Sequence, residues 1–385
     1  MDGIINDILV ALKNTDWTPH LIIGYYYIDY ITKNYKSSGK KFKLDKTPLK
    51  DIKEVSLPPQ LKINNRKIDF RGLAKKELGN EVVKFAQIIL DNFSSRNLII
   101  FYNNISELNV KIIGSSDKEE FLKNEKNRAA TYNADSNKVN VREEYAAIAL
   151  PHELFHMASS FYDEENSNIF CGFSQIVNNG RVHRDFGNGF NEGYTEYMVE
   201  KYYGHSYIEN EVHSYHLLRT IAASIEMIIG KEKMETLYLS ANLKGLIDEL
   251  SIYVGEKNAI NFINCTDFLL KNMNYEKKTQ KQKEEIESNL KILNLFMLTL
   301  YTEYGAKKYN NKEINFDELK ELMTEGIKNM YNVTINEVQY NGIPTAEFVA
   351  QMCLSILRKN GINAVSVEGF NENEKTEKTS ENKTK

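Results

Sequence analysis

The chain has 385 residues, 42% of them apolar and 26% charged, and a net charge of −4 at pH 7. That is ample for a packed core and two or three domains, and the near-neutral balance lacks the basic footprint that nucleic-acid binding needs. Three scattered cysteines, Cys171, Cys265 and Cys353, argue against a disulfide scaffold and fit a reducing compartment.

Residues 1–36 read as two helices. Thr18 is a cap and Pro19 the first helical position of the second one. Tyr25, Tyr26, Tyr27 and Tyr30 could form an interfacial surface. With no basic face beside them, a helix packed on the main body is favoured. The apolar stretch 21–31 is short and broken by Asp29, so no transmembrane span is expected. The opening Met1-Asp2-Gly3-Ile4-Ile5-Asn6-Asp7 is acidic where a signal peptide is basic, so a cytoplasmic location is expected, with non-standard export left open.

Ser37-Ser38-Gly39, a lysine-rich run and Pro58-Pro59 mark 37–72 as a loose stretch and a boundary. Residues 75–93 predict an amphipathic helix with Val82, Phe85, Ile89 and Phe93 on one face. Leu98-Ile99-Ile100-Phe101-Tyr102 predicts a buried strand, and 108–113 another. Residues 130–133 and 138–141 flank the polar Ala134-Asp135-Ser136-Asn137, a hairpin pattern.

Pro151-His152-Glu153-Leu154-Phe155-His156 follows, an H-E-x-x-H. Residues four apart share a helix face, so both imidazoles can close on one cation. Zinc takes nitrogen ligands in tetrahedral geometry, and a catalytic site keeps one position for water. Glu153 lies about 100° around the helix from His152, placed to act on that water as a base rather than to ligate. Proline fits the first turn of a helix, so this helix is expected to begin at or just before Pro151, unless it is kinked there. A purely structural histidine pair is the bland alternative.

Residues 173–177 and 181–186 around Asn178-Asn179-Gly180 predict a second hairpin, which can shape a cleft or act as a lid. His183 and Asp185 within it are alternative ligands, though turn-adjacent polar residues are usually solvated. Residues 190–204 predict a helix, with Asn191 as cap and Gly204 as stop. Glu192, Thr195, Glu196 and Val199 share one face. Glu192 is the expected third ligand, and Glu196 would accept a hydrogen bond from a ligand histidine and fix its tautomer.

Further helices are expected at about 212–229, with Gly230 as its stop, and at 234–253, 259–273, 283–304, 316–330 and 345–359. Residues 371–385 are all polar or charged and are expected to be disordered. The expected organisation is an N-terminal helical region and linker over 1–72, a catalytic core over 73–205, a helical C-terminal domain over 206–370 and the tail 371–385. The expected fold class is α+β, mainly helical, with a small sheet beside the histidine helix.

H-E-x-x-H followed by a helix reading N-E-x-x-T-E is similar to the gluzincin metallopeptidases, the thermolysin-like superfamily. The resemblance covers about 129–204. It implies a zincin-like core, peptide or protein substrates and zinc held by His152, His156 and Glu192. It makes Glu153 the general base and Glu196 the orienting carboxylate. It implies an edge strand near the first hairpin that pairs with extended substrate; a plain structural hairpin is the alternative. A residue after the second motif would stabilise the oxyanion, with Tyr207, His213 and His216 as candidates. Two departures stand out. The gap from 156 to 192, 36 positions, is longer than in thermolysin, and Glu196 stands where that family has an aspartate. Two other classes fit less well. One is a catalytically inactive or regulatory zinc protein that binds peptides or partners, and Glu153 counts against it. The other is a helical interaction protein with an accidental motif, against which the second motif counts.

Overall fold

The chain was analysed as a computed structural model, which describes residues 52–55, 57, 67–124, 128–178, 183–204, 213–273, 278–328, 333–335, 338–340, 342 and 346–362. The helices expected in 1–36, the tyrosine cluster and the tail 371–385 lie outside the described residues. The described residues fall into two units. The larger lies within Asp45–Ser251 and Ala259–Lys277, and the smaller within Ile252–Asn258 and Lys278–Lys385.

In chain order the elements begin with helices α1 (Phe70–Leu73), α2 (Gly79–Asn92) and α3 (Ile99–Glu107), then strand β1 (Asn109–Ile113) and α4 (Lys118–Asn124). Strands β2 (Ala130–Asn133) and β3 (Lys138–Arg142) lead into α5 (Ala146–Ala158). Strands β4 (Ser160–Asp163), β5 (Asn168–Cys171), β6 (Ser174–Asn178) and β7 (His183–Phe186) separate α5 from α6 (Asn188–Tyr203). Four helices follow: α7 (His213–Ile229), α8 (Lys231–Leu239), α9 (Leu243–Val254) and α10 (Glu256–Asn272). The last elements are α11 (Gln280–Asn310), α12 (Phe316–Lys328), strands β8 (Val333–Ile335) and β9 (Val338–Tyr340), and α13 (Ala346–Lys359). The fold is α+β and mainly helical, and no helix among the described residues is long and apolar enough to cross a membrane.

The first hairpin forms as its pattern predicts. β2 runs antiparallel to β3 with Ala130 opposite Val141, and β1 joins β3 in parallel, giving the order β1-β3-β2. β2 is thus an edge strand, and β2 and β3 pack against α5. The second hairpin, β6 with β7, is part of a larger antiparallel sheet of order β4-β5-β6-β7. The sequence reading does not contain β4 and β5, whose residues carry no regular alternation.

Five expectations are corrected. Residues 98–102 are not a strand; from Ile99 they form the first turn of α3. A five-residue apolar run has no period of its own, and the length of the element decides it. The helix continues through Asn104, whose amide donates to the carbonyls of Met157 (2.8 Å) and Ser160 (2.6 Å), tertiary bonds that the local pattern does not carry. α5 does not begin at Pro151 but at Ala146, with proline in its interior. The run Ala146-Ala147-Ile148-Ala149-Leu150 is strongly helix-forming, and it carries the helix past the bond that proline deletes, at a cost of about 3 kcal/mol. Buried Leu150, Leu154, Phe155 and Met157 offset that cost.

α6 is capped by Gly187 rather than Asn191, which lies inside the helix. Gly187 takes a left-handed φ of 78°, and a Cβ there would fall 2.0 Å from the Phe173 carbonyl oxygen. Gly204 ends the helix in the left-handed conformation, as expected. The helix expected over 234–253 is two, α8 and α9, broken at Ala241, whose φ is 55°. α2 begins at Gly79 rather than 75, after Leu78 in the left-handed region. Its predicted face holds: Val82, Phe85, Ile89 and Phe93 are all buried, and Phe85 meets Phe155 of α5 edge-on at 5.1 Å.

In the smaller unit, α11 opens with a capping box between Thr279 and Gln282 and packs against α12 and α13. The buried Glu303 of α11 accepts from Lys359 and Asn360 at the end of α13, both at 3.0 Å.

Candidate metal centre

Two helices build the site. On α5, His152 and His156 stand one turn apart and are both buried. On α6, Glu192 and Glu196 stand one turn apart, the first partly exposed and the second fully buried. The start of α6 is held from α10. Asp267 accepts the backbone N–H groups of Gly187 (2.8 Å) and Gly189 (2.7 Å), which the helix itself leaves without partners. Burial pushes the Asp267 carboxyl up to about 7, against the lowering effect of those two N–H groups. Gly193 lets α6 approach α7 closely, since a Cβ there would lie 2.5 Å from the Leu218 backbone carbon.

Three donor atoms converge. His152 Nε2 lies 3.0 Å from His156 Nε2 and 3.0 Å from Glu192 Oε2, and His156 Nε2 lies 3.6 Å from Glu192 Oε1. Zinc bonds of about 2.0–2.1 Å at tetrahedral angles would set neighbouring donors about 3.3 Å apart, the middle of that range. His152 Nδ1 faces Glu196 Oε2 at 3.0 Å. A carboxylate only accepts, so the neutral ring carries its proton on Nδ1 and turns a lone pair at Nε2 toward the other two donors. Three acceptors at such separations are compatible when a cation lies among them. His152, His156 and Glu192 form the group among the described residues that could hold a metal ion.

The titration behaviour follows the same electrostatics. Burial disfavours a charged His152, but its hydrogen bonds to Glu192 and Glu196 outweigh this and raise its pKa to about 9. His156 is likewise raised despite burial, chiefly by Cys171 and Glu192. Burial works to raise Glu192, and the two histidines overcome it and hold it well below the usual carboxylate range. Glu153, between the histidines in sequence, is partly exposed and not one of the three converging groups. Burial raises its pKa, with His152 and His156 pulling the other way.

The other sequence candidates fall elsewhere. Tyr207 and the side chains of His183 and His213 lie outside the described residues. His216 is exposed on α7, and its Nδ1 accepts from Arg219 at 2.9 Å. Asp185 accepts from Asn188 and lies 3.7 Å from Lys271, so it serves the start of α6 rather than the metal group.

Three neighbours escaped the sequence reading. Cys171 at the end of β5 lies 3.4 Å from His156 Nδ1, and Asn191 Nδ2 lies 3.4 Å from the same atom. Tyr238 on α8 pairs its hydroxyl with Thr195 at 2.7 Å in the buried layer behind them. Asn191 was legible in part, because it precedes Glu192 on the same helix. Nothing local marks Cys171 or Tyr238. Comparison with protein-family models, with curated proteins and with solved structures finds no match for this chain.

Proposed function

We propose that the chain is a zinc-dependent metallopeptidase of the gluzincin type, with a zincin-like core made of α5, α6 and the sheet β1-β3-β2. The observation that carries this is the convergence of His152 Nε2, His156 Nε2 and the Glu192 carboxylate at 3.0–3.6 Å, with Glu196 behind His152. Two imidazoles and one carboxylate are a donor set that suits zinc, and three protein ligands leave one position open. A zinc ion held there would polarise a substrate carbonyl and lower the pKa of a water to about 7.

The chain's own residues do the rest. Glu153 takes a proton from the attacking water and returns it to the leaving amine, work worth about 10²–10⁴ in rate. Glu196 holds the proton of His152 on Nδ1, keeping Nε2 free to ligate. The outer edge of β2, beside α5, offers backbone groups to an extended peptide, which strand addition would bind without side-chain selectivity. The substrate is therefore a peptide or an unfolded segment of a protein.

Glu153→Gln tests this reading. The amide is nearly isosteric but cannot take the proton. Against a peptide library the variant should retain its zinc and lose about 10²–10⁴ in turnover relative to wild type. Equal turnover in both proteins would exclude Glu153 as the base, and zinc binding without turnover in wild type would turn the reading toward a regulatory zinc protein.

A further inference from the structure

We infer that Cys171 is a positioning residue of the proposed metal centre, its sulfur accepting the Nδ1 proton of His156 and so setting that ring to ligate through Nε2. This rests on the metal-binding reading above and adds a residue that the H-E-x-x-H and N-E-x-x-T-E patterns do not contain.

The tautomer is the starting point. If His156 ligates through Nε2, its ring proton is on Nδ1 and needs an acceptor. Two side chains face that nitrogen, Cys171 Sγ and Asn191 Nδ2, each at 3.4 Å. The orientation of Asn191 is settled at its far end. The backbone N–H of Phe173 lies 2.8 Å from Asn191 Oδ1, and a backbone N–H can only donate, so that end is the oxygen. The end facing His156 is the amide nitrogen, a donor. Two donors cannot satisfy each other, so the sulfur is left as the acceptor.

The surrounding bonds close consistently. Asn191 Nδ2 also lies 3.9 Å from the sulfur, which gives the amide an acceptor of its own. The thiol proton has the backbone carbonyl of His156 at 3.8 Å, which frees the sulfur lone pairs for the two N–H groups. Flipping Asn191 to present its oxygen would instead strip the buried Phe173 N–H of its partner, a loss of about 1–3 kcal/mol. The sulfur is also held in place. Cys171 pairs with Ser160 of β4 on one side and with Ser174 of β6 on the other, and Gly172 follows at a φ of 55°. A Cβ on Gly172 would lie 2.3 Å from Asn191 Oδ1, so the turn presses the cysteine and the amide together.

The test measures zinc affinity by chelator competition in wild type, Cys171→Ala and Cys171→Ser. Removing the acceptor should weaken zinc binding about 10–100-fold, the usual cost of losing a partner behind a ligand. Serine retains an acceptor and should bind within about threefold of wild type. Alanine binding as tightly as wild type overturns the inference, and serine as weak as alanine reduces Cys171 to a packing role and overturns it too. A wild type that takes up no zinc overturns this inference and the metal reading together, whereas indifference of a zinc-binding protein to alanine overturns this one alone. A second measurement needs no variant: ¹⁵N NMR of histidine-labelled, zinc-loaded wild type should show His156 protonated on Nδ1. A proton on Nε2 there would overturn the assignment.

Discussion

Two acidic clusters lie along helix α6, and they are neutralised in different ways. Toward its end, Lys201 reaches Glu226 of α7 and Glu235 of α8, and the hydroxyls of Tyr194 (2.6 Å) and Tyr202 add donors to the same carboxylates. Toward its start, the ion-pair partners of Glu192 are two histidines whose remaining nitrogens are already engaged. Buried charge is tolerated only when it is paired. The first cluster is closed by an ammonium group that the chain carries itself. The second sets its carboxylates against the imidazoles of His152 and His156. One cluster therefore ties three helices together through a lysine, and the other brings together a group that could hold a metal ion.

The largest expected difference concerns metal content. Wild type should purify with, or take up, about one zinc per chain, while His152→Ala combined with His156→Ala should take up none. Elemental analysis decides it, and near-stoichiometric zinc in the double variant would remove the metal centre altogether. The opposite cluster should respond in stability instead. Lys201→Met leaves two buried carboxylates short of their cation and should cost about 3 kcal/mol in urea unfolding, without altering zinc affinity in the folded protein. A loss of zinc affinity with no loss of stability would mean that the two clusters had been assigned the wrong way round.

Smaller effects sharpen the picture within α6. Glu196→Ala should weaken zinc binding about 10–100-fold by freeing the tautomer of His152, and Glu192→Ala should cost more because it deletes a ligand. A chelator competition that finds the reverse order would exchange the roles of the two carboxylates. Another buried carboxylate, Asp267 of α10, accepts the Gly187 and Gly189 N–H groups at the head of the helix. Its folded pKa of about 7 is raised above the ordinary value of 3.8, so the native state binds a proton over that interval that the unfolded chain has released. This one group therefore makes stability fall as pH rises from about 4 to 7, and contributes no slope above that. Asp267→Asn should flatten the interval by at most about 1.4 kcal/mol per pH unit, read from urea titrations at several pH values. An unchanged slope would assign the pH dependence to other groups.

Much of the architecture was legible because it is local. The i,i+4 spacing of His152 and His156, the face of Val82, Phe85, Ile89 and Phe93, and the polar turn between β2 and β3 are all properties of a few consecutive residues. Gly204 stopped α6 for the same reason, since only the residue's own φ matters there. The misreadings share a cause as well. Leu98-Ile99-Ile100-Phe101-Tyr102 suits either a helix or a strand, and the amide of Asn104 bonding to the end of α5 belongs to the helix. Pro151 ought to open a helix, yet the alanines before it and the buried face after it extend α5 through it. The start of α6 was misplaced because its capping partner, Asp267, comes from a helix far along the chain.

By itself the sequence determined that the protein is α+β and mainly helical, and that two imidazoles and an intervening carboxylate share consecutive turns. Both follow from backbone periodicity, which acts over a turn or two. Tertiary structure set the distances at which Glu192 and Glu196 meet His152, and it decided that Cys171 stands behind His156 and that Lys201 closes the acidic cluster at the end of α6. Those contacts join residues as much as 44 positions apart, and their separations are set to within an ångström by how α5, α6 and the β4-β5-β6-β7 sheet pack, which no local pattern encodes.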